Sequence, residues 1–292
     1  MHVLITNDDG PPSLKHSPYI YQLVETIKRL TDWEVSVVIP NTQKSWIGKA
    51  HLIGQTLTAS YIRPGPVGDG FIYDPPTYEH PDTSGYDESA WMLLDGTPAS
   101  CTNIGLYYNR RKKPVDLVIS GPNYGRNSTA LYIISSGTVG AAMEGALSGV
   151  KAISLSYAFE NRSIPPPHVK EATTRSVELI KYLWENWDEQ AQIYTINVPM
   201  IASVASAEPV FTHILENTWG SVFHEVGGSK TPADDGKRQF RWGPDFDAAD
   251  RTVAESSGNN DGRVIEQGCI SVTPLRANYK DIPTIQGEIT LD

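Results

Sequence analysis

Short, uninterrupted apolar runs alternate along the first two thirds of this chain with stretches in which apolar residues recur every three or four positions. The runs fall at residues 3–5, 35–40, 91–95, 115–121, 152–156 and 193–198. A strand covered by helices on both faces of a parallel sheet has this form, because neither of its faces meets water. Between the first two runs, Tyr19, Ile20, Leu23, Val24, Ile27 and Leu30 fall on one side of an amphipathic helix expected from about 17 to 30. A second long amphipathic helix is expected over 169–187, and a helix of small residues after Gly137. Thr97 followed by Pro98 marks a helix start, the hydroxyl as N-cap and the proline in the first turn.

Strands that alternate with helices predict an α/β fold, a doubly wound, mainly parallel sheet with right-handed crossovers, over residues 1–200. Two stretches break the pattern. Residues 60–89 are rich in Pro, Gly, Tyr and Asp without a period and read as a long excursion or a poorly ordered loop. Residues 225–262 are crowded with Gly, Asp, Ser and Asn and show no convincing element, whereas 270–275 reads as a late strand. The segment 201–292 is therefore expected to form a C-terminal arm or extension that serves oligomerisation.

Composition narrows the classes. At 292 residues, 39% apolar and 20% charged, the chain is an ordinary soluble globular sequence. No stretch approaches the ~20 apolar residues of a membrane span, and the first residues lack a basic segment followed by a long apolar one. A cytoplasmic protein without a membrane partner is the expectation. Two distant cysteines, Cys101 and Cys269, argue against a disulfide framework. The net charge of −10 disfavours a nucleic-acid duplex as partner, yet it is compatible with a small phosphorylated substrate if a bound cation inverts the local sign. The basic run 110–113 is best placed at a helix C-terminus.

The candidate chemistry sits at strand ends. The first strand runs into Asn7-Asp8-Asp9-Gly10, the second into a loop that holds Ser45, and the third into Ser120-Gly121-Pro122-Asn123. Parallel neighbours would open all three loops on one edge of the sheet, where such folds bind ligands. Adjacent carboxylates resist joint ionisation unless a positive charge lies between them. Two carboxylates, a hydroxyl and an amide oxygen suit Mg²⁺, Mn²⁺ or Ca²⁺. The plainer reading makes Asp9-Gly10 a hairpin tip, but Pro11-Pro12 follow and no second strand does. Ser135-Ser136-Gly137-Thr138 would place hydroxyls and free N–H groups at a helix N-terminus, which fits an anion or simple capping. Lys49 reads as a phosphate contact or a surface lysine, Trp46 as a base-stacking or packed ring, and Arg126 as a pocket or solvated residue; Glu144 is given no catalytic role. Neither a Walker sequence nor a dinucleotide fingerprint occurs.

These residues resemble the survival-protein-E (SurE) family of metal-dependent phosphatases, fungal acid-phosphatase-like branch. The matching blocks are Thr6–Gly10, Ser45, Gly96–Cys101, Ser120–Asn123 and Ser136–Gly145, with 271–275 as the family's late strand. The resemblance implies a Rossmann-like core with a projecting C-terminal β-containing arm, a homodimer or homotetramer, and hydrolysis of nucleoside monophosphates or other small phosphate monoesters. It implies Asp8, Asp9, Ser45 and Asn123 as ligands of Mg²⁺ or Mn²⁺, and Asn127, Ser136, Gly137 and Thr138 as the phosphate site, with Asp8, Asp9 and Asn127 catalytic. In four places the chain departs from the family pattern. Pro122 replaces an aliphatic residue, Ser135 a tyrosine, Ser128-Thr129 a Leu-Gly pair, and Trp46 a common glycine. A catalytically silent nucleotide- or phosphate-binding regulatory module on the same fold is the rival reading; a metal-using nucleotide-sugar transferase is a third.

Overall fold

The computed structural model describes residues 1–65, 89–108, 113–159, 164–226, 238–281 and 283–288. In chain order its elements are β1 (His2–Thr6), α1 (Ile20–Leu30), β2 (Glu34–Pro40), β3 (Ala59–Ile62), β4 (Trp91–Leu94), α2 (Pro98–Tyr107), β5 (Leu117–Tyr124), α3 (Thr129–Ser135) and α4 (Gly137–Leu147). They continue with β6 (Lys151–Ala158), α5 (Pro166–Glu185), β7 (Ile193–Pro199), β8 (Pro209–Phe211), β9 (Phe223–Val226), β10 (Gln239–Trp242), α6 (Phe246–Glu255), α7 (Asp261–Glu266) and β11 (Ile270–Leu275).

A nine-stranded sheet runs in the order β3-β4-β2-β1-β5-β6-β7-β11-β8. The strands from β4 to β7 are parallel. β3 pairs antiparallel with β4, and β11 antiparallel with β7. The chain winds from β1 outward to β4, then returns beside β1 as β5 and winds the other way, which puts the topological switch point between β1 and β5.

Alternation along β1 builds both layers. Val3 and Ile5 join the larger core under α1 and α5, with Leu23, Ile27, Ile119 and Ile180. Leu4 points to the other face and packs with Val118, Cys101 and Ala142 under α2 and α4. Thr97 caps α2 as its sequence predicts, its side chain accepting from the Ser100 N–H at 3.1 Å.

Beyond residue 200, β8 and β11 complete the central sheet, while β9 and β10 pair as a separate two-stranded sheet. Residues 225–262, which show no element in sequence, contain α6 and β10. In α6 the buried stripe is only Ala249 and Val253, set among Asp and Arg residues that mask the helical period. Asp245 caps it by accepting from the Ala248 N–H at 2.9 Å. Of the expected excursion at 60–89, residues 66–88 lie outside the described residues, and its start belongs to the short edge strand β3. Of the basic run, 110–112 also lie outside them, and Lys113 pairs with Glu34 at 2.7 Å. Among the described residues, no single helix is long and apolar enough to cross a membrane.

Candidate active site

The carboxyl end of β1 is held by Asn7, a fully buried side chain whose amide donates to the Gly10 carbonyl at 2.8 Å and to Ser17 Oγ at 3.1 Å. The Gly10 N–H returns a bond to Asn7 Oδ1 at 3.1 Å, so the turn that carries Asp8 and Asp9 is clamped from inside. Both aspartates are 2% exposed.

Asp8 faces the start of α4. Thr138 Oγ1 donates to its Oδ1 at 2.5 Å, and the backbone N–H groups of Gly137 and Thr138 also point at it. Burial outweighs these bonds and pushes the Asp8 carboxyl up to about 6. Asp9 accepts the Tyr124 N–H at 2.7 Å and is held well above the usual carboxylate range, first by burial and then by the charge of Asp8.

β5 delivers the next oxygen. Its register against β6 shifts between Ser120 and Asn123, and this irregularity sets the direction of Asn123. The Asn123 amide donates to the Gly125 carbonyl at 2.7 Å, leaving Oδ1 3.2 Å from Thr138 Oγ1. The single Thr138 proton thus has two acceptors, Asp8 and Asn123. No described Lys or Arg pairs with Asp8 or Asp9, and no three His, Cys, Asp or Glu side chains gather among the described residues. Two buried carboxylates, an amide oxygen short of a donor and the Ser45 hydroxyl form an all-oxygen set short of positive charge. That chemistry fits a hard divalent cation.

Asp8, Ser45, Asn123, Asn127 and Ser136 line one cavity of about 630 Å³, within the ~300–1,000 Å³ usual for small-ligand sites. Asp9, Gly137 and Thr138 are buried beside it. The Asn127 amide donates to Ser156 Oγ at 3.0 Å, and its own N–H is fixed by Asn197 Oδ1 at 2.7 Å. Ser136 caps α4 by accepting the Val139 N–H at 3.1 Å, so its oxygen serves as a cap while its proton stays available to a ligand.

Three residues given alternatives in sequence resolve differently. Lys49 binds Glu144 at 2.9 Å, so it anchors the Ser45 loop. Burial works to raise the Glu144 carboxyl, but hydrogen bonds from Lys49, Asn103 and His51 prevail and hold it below the usual range. Arg126 pairs with Asp250 beside the cavity. Trp46 lines the cavity itself, with Tyr132 and Phe246.

Sequence reasoning missed Asn197, although a polar residue inside an apolar strand was a visible signal. It also missed Asp261, whose carboxylate accepts the N–H groups of Thr129 at 2.7 Å, Leu215 at 3.0 Å and Gly262 at 2.9 Å. No spacing pointed to Asp261, Tyr132 or Phe246.

The family model described as "Survival protein SurE" matches residues 3–221. "Probable tubulin--tyrosine ligase PBY1" of Saccharomyces cerevisiae is 39% identical over 100% of this chain, which spans 43% of that protein's length. "5'-nucleotidase SurE" of Ruegeria pomeroyi is 31% identical, with 95% of each chain covered. The protein of that name from Pelobacter propionicus is 27% identical over 98% of each. The crystal structure of the SurE protein from Aquifex aeolicus shares the fold at a TM-score of 0.68 and 24% identity, covering 96% of this chain and 95% of that one.

Proposed function

The chain belongs to the survival protein SurE family, and from that premise and the geometry of its cavity we propose a divalent-metal-dependent phosphomonoesterase. Its substrates are nucleoside monophosphates or other small phosphate monoesters. One observation carries the reading: two buried carboxylates without a cationic partner meet the amide of Asn123 and the N-terminus of α4 at the switch point of the sheet.

Asp8, Asp9, Ser45 and Asn123 would hold Mg²⁺ or Mn²⁺. The chemistry supplied by a cation held there would be neutralisation of charge on the phosphoryl group and a lowered pKa of a bound water. Asp8 is the carboxylate that lines the cavity, whereas Asp9 is buried beside it. Asp8 therefore orients the attacking water and takes its proton. The Asn127 amide and the Ser136 hydroxyl, which line the same cavity, hold the phosphoryl oxygens. In-line attack forms the new P–O bond as the ester P–O bond breaks, and the leaving oxygen takes a proton from solvent to depart as the alcohol. The Gly137 and Thr138 N–H groups keep Asp8 aimed, and the positive end of α4 favours the anionic substrate.

Assembly as a homodimer or homotetramer is part of this proposal, with 201–292 as the contributing region. β8 ends the sheet, and its Phe211 and the neighbouring Tyr182 of α5 are 60% and 57% exposed, an apolar edge of the kind that subunits cover.

The test is Asp8→Asn, which keeps shape and removes the charge. Turnover is expected to fall at least about 1,000-fold with circular dichroism unchanged. Retained turnover in a folded Asp8→Asn protein contradicts the assignment.

A further inference from the structure

The cavity has a second wall, and it is aromatic. Trp46, Tyr132 and Phe246 line it from three separate stretches of chain. Tyr132 and Phe246 lie parallel, with 5° between planes and 6.4 Å between centroids. Trp46 meets them edge-on at 6.0 and 6.1 Å, and is backed by Trp242 at 4.9 Å and Trp219 at 5.7 Å.

Two features separate this cluster from ordinary core. It is not sealed from water: Phe246, which lines the cavity, is 40% exposed, and Trp242 behind Trp46 is 43% exposed. Trp46 also has φ 62, a left-handed conformation that disfavours any side chain and suits glycine. The fold thus tolerates an unfavourable backbone to place an indole next to Ser45. Such strain persists where surrounding structure enforces it, often at ligand sites.

Side chains at the rim narrow the occupant. The Arg126 guanidinium already lies 5.6 Å over the Tyr132 ring, in the place that a cationic headgroup would take. Arg126 and Asp250, paired with each other, both face the cavity and offer donors and acceptors at the rim of the aromatic wall. A flat, neutral ring with hydrogen-bonding edges matches both features.

We propose that Trp46, Tyr132 and Phe246 form a stacking shelf for the planar base of a nucleoside monophosphate, and that Arg126 and Asp250 read the edge of that base. This rests on the phosphomonoesterase reading of the cavity only in placing the phosphate beside Asn127 and Ser136.

Binding tests it without turnover. Dissociation constants for adenosine 5'-monophosphate, ribose 5-phosphate and phosphocholine are measured by calorimetry in EDTA, for wild type, Trp46→Gly and Phe246→Ala. Stacking of a base on an aromatic ring is worth a factor of about 10 to 100. The nucleotide should bind wild type by that factor more tightly than ribose 5-phosphate, and the ratio should collapse towards one in both variants. Glycine accepts the backbone angle at 46, and Phe246→Ala samples the shelf from a different element. Equal affinities in wild type, or a ratio that neither folded variant changes, overturns the shelf, as does a preference for phosphocholine. A base preference in a protein that releases no phosphate from any ester upholds the shelf and removes the hydrolytic reading alone.

Discussion

A Cβ atom on Gly137 would stand 2.8 Å from the Cβ of Asp8. It would also meet the Lys44 carbonyl oxygen at 3.1 Å, so only glycine lets the N-terminus of α4 close on both the carboxylate strand and the Ser45 loop. Gly137→Ala must push these three segments apart. The expected cost is about 1–3 kcal/mol of stability, with a larger proportional loss of phosphate release because Asp8 is displaced. Wild-type rates in a Gly137→Ala protein would show that this approach does not matter.

Thr138 shares one hydroxyl proton between Asp8 at 2.5 Å and Asn123 at 3.2 Å. Thr138→Val removes the group that orients both oxygens and should weaken Mn²⁺ binding about 10- to 100-fold. Thr138→Ser keeps the hydroxyl and should recover most of the affinity. Titration of Mn²⁺ by paramagnetic resonance separates the two variants; equal weakening in both would show that the hydroxyl is not what orients the ligands.

Asp8 and Asp9 make the metal-free fold sensitive to pH. Burial raises Asp8 from 3.8 to about 6, and Asp9 is raised as well, so the folded state holds protons that the unfolded chain releases over this range. Stability from this source is complete below about pH 4 and is lost as pH rises through about 6. Thermal melts in EDTA should therefore fall between about pH 4.5 and about pH 7, and saturating Mn²⁺ should remove the fall by favouring the ionised pair. A melting temperature in EDTA that rises across this window contradicts the account.

Asp261 holds Thr129 in a left-handed conformation of φ 66 through its N–H, while also accepting from Leu215 and Gly262. Asp261→Ala leaves these N–H groups without their acceptor and should destabilise the protein by about 2–4 kcal/mol. The turn that follows Asn127 should loosen too, raising KM more than it lowers kcat. Denaturant unfolding and steady-state kinetics give the two numbers.

The core of the fold was readable because parallel strands are buried on both faces, so 35–40, 193–198 and 270–275 stand out as continuous apolar runs that match β2, β7 and β11 within a residue. Asp8, Asp9 and Asn123 were readable because they follow such runs directly. α6 was not, since two buried residues among acids and bases give too weak a period. β3 was hidden by its four-residue length at the sheet edge. The aromatic wall has no local signature at all, because positions 46, 132 and 246 meet only in three dimensions. Trp46 and Thr129 were visible as departures where the family pattern has glycine; that both sit at positive φ, 62 and 66, is a property of the folded backbone.

Release of inorganic phosphate tests the central claim most directly. The protein is incubated with a panel of nucleoside monophosphates and an aryl phosphate, first with Mn²⁺ or Mg²⁺ and then with EDTA. A carboxylate cradle for a divalent cation predicts phosphate release with metal that EDTA abolishes and added Mn²⁺ restores. Folded protein that binds Mn²⁺ and nucleotide yet releases no phosphate from any ester would contradict it and make the chain a binding module.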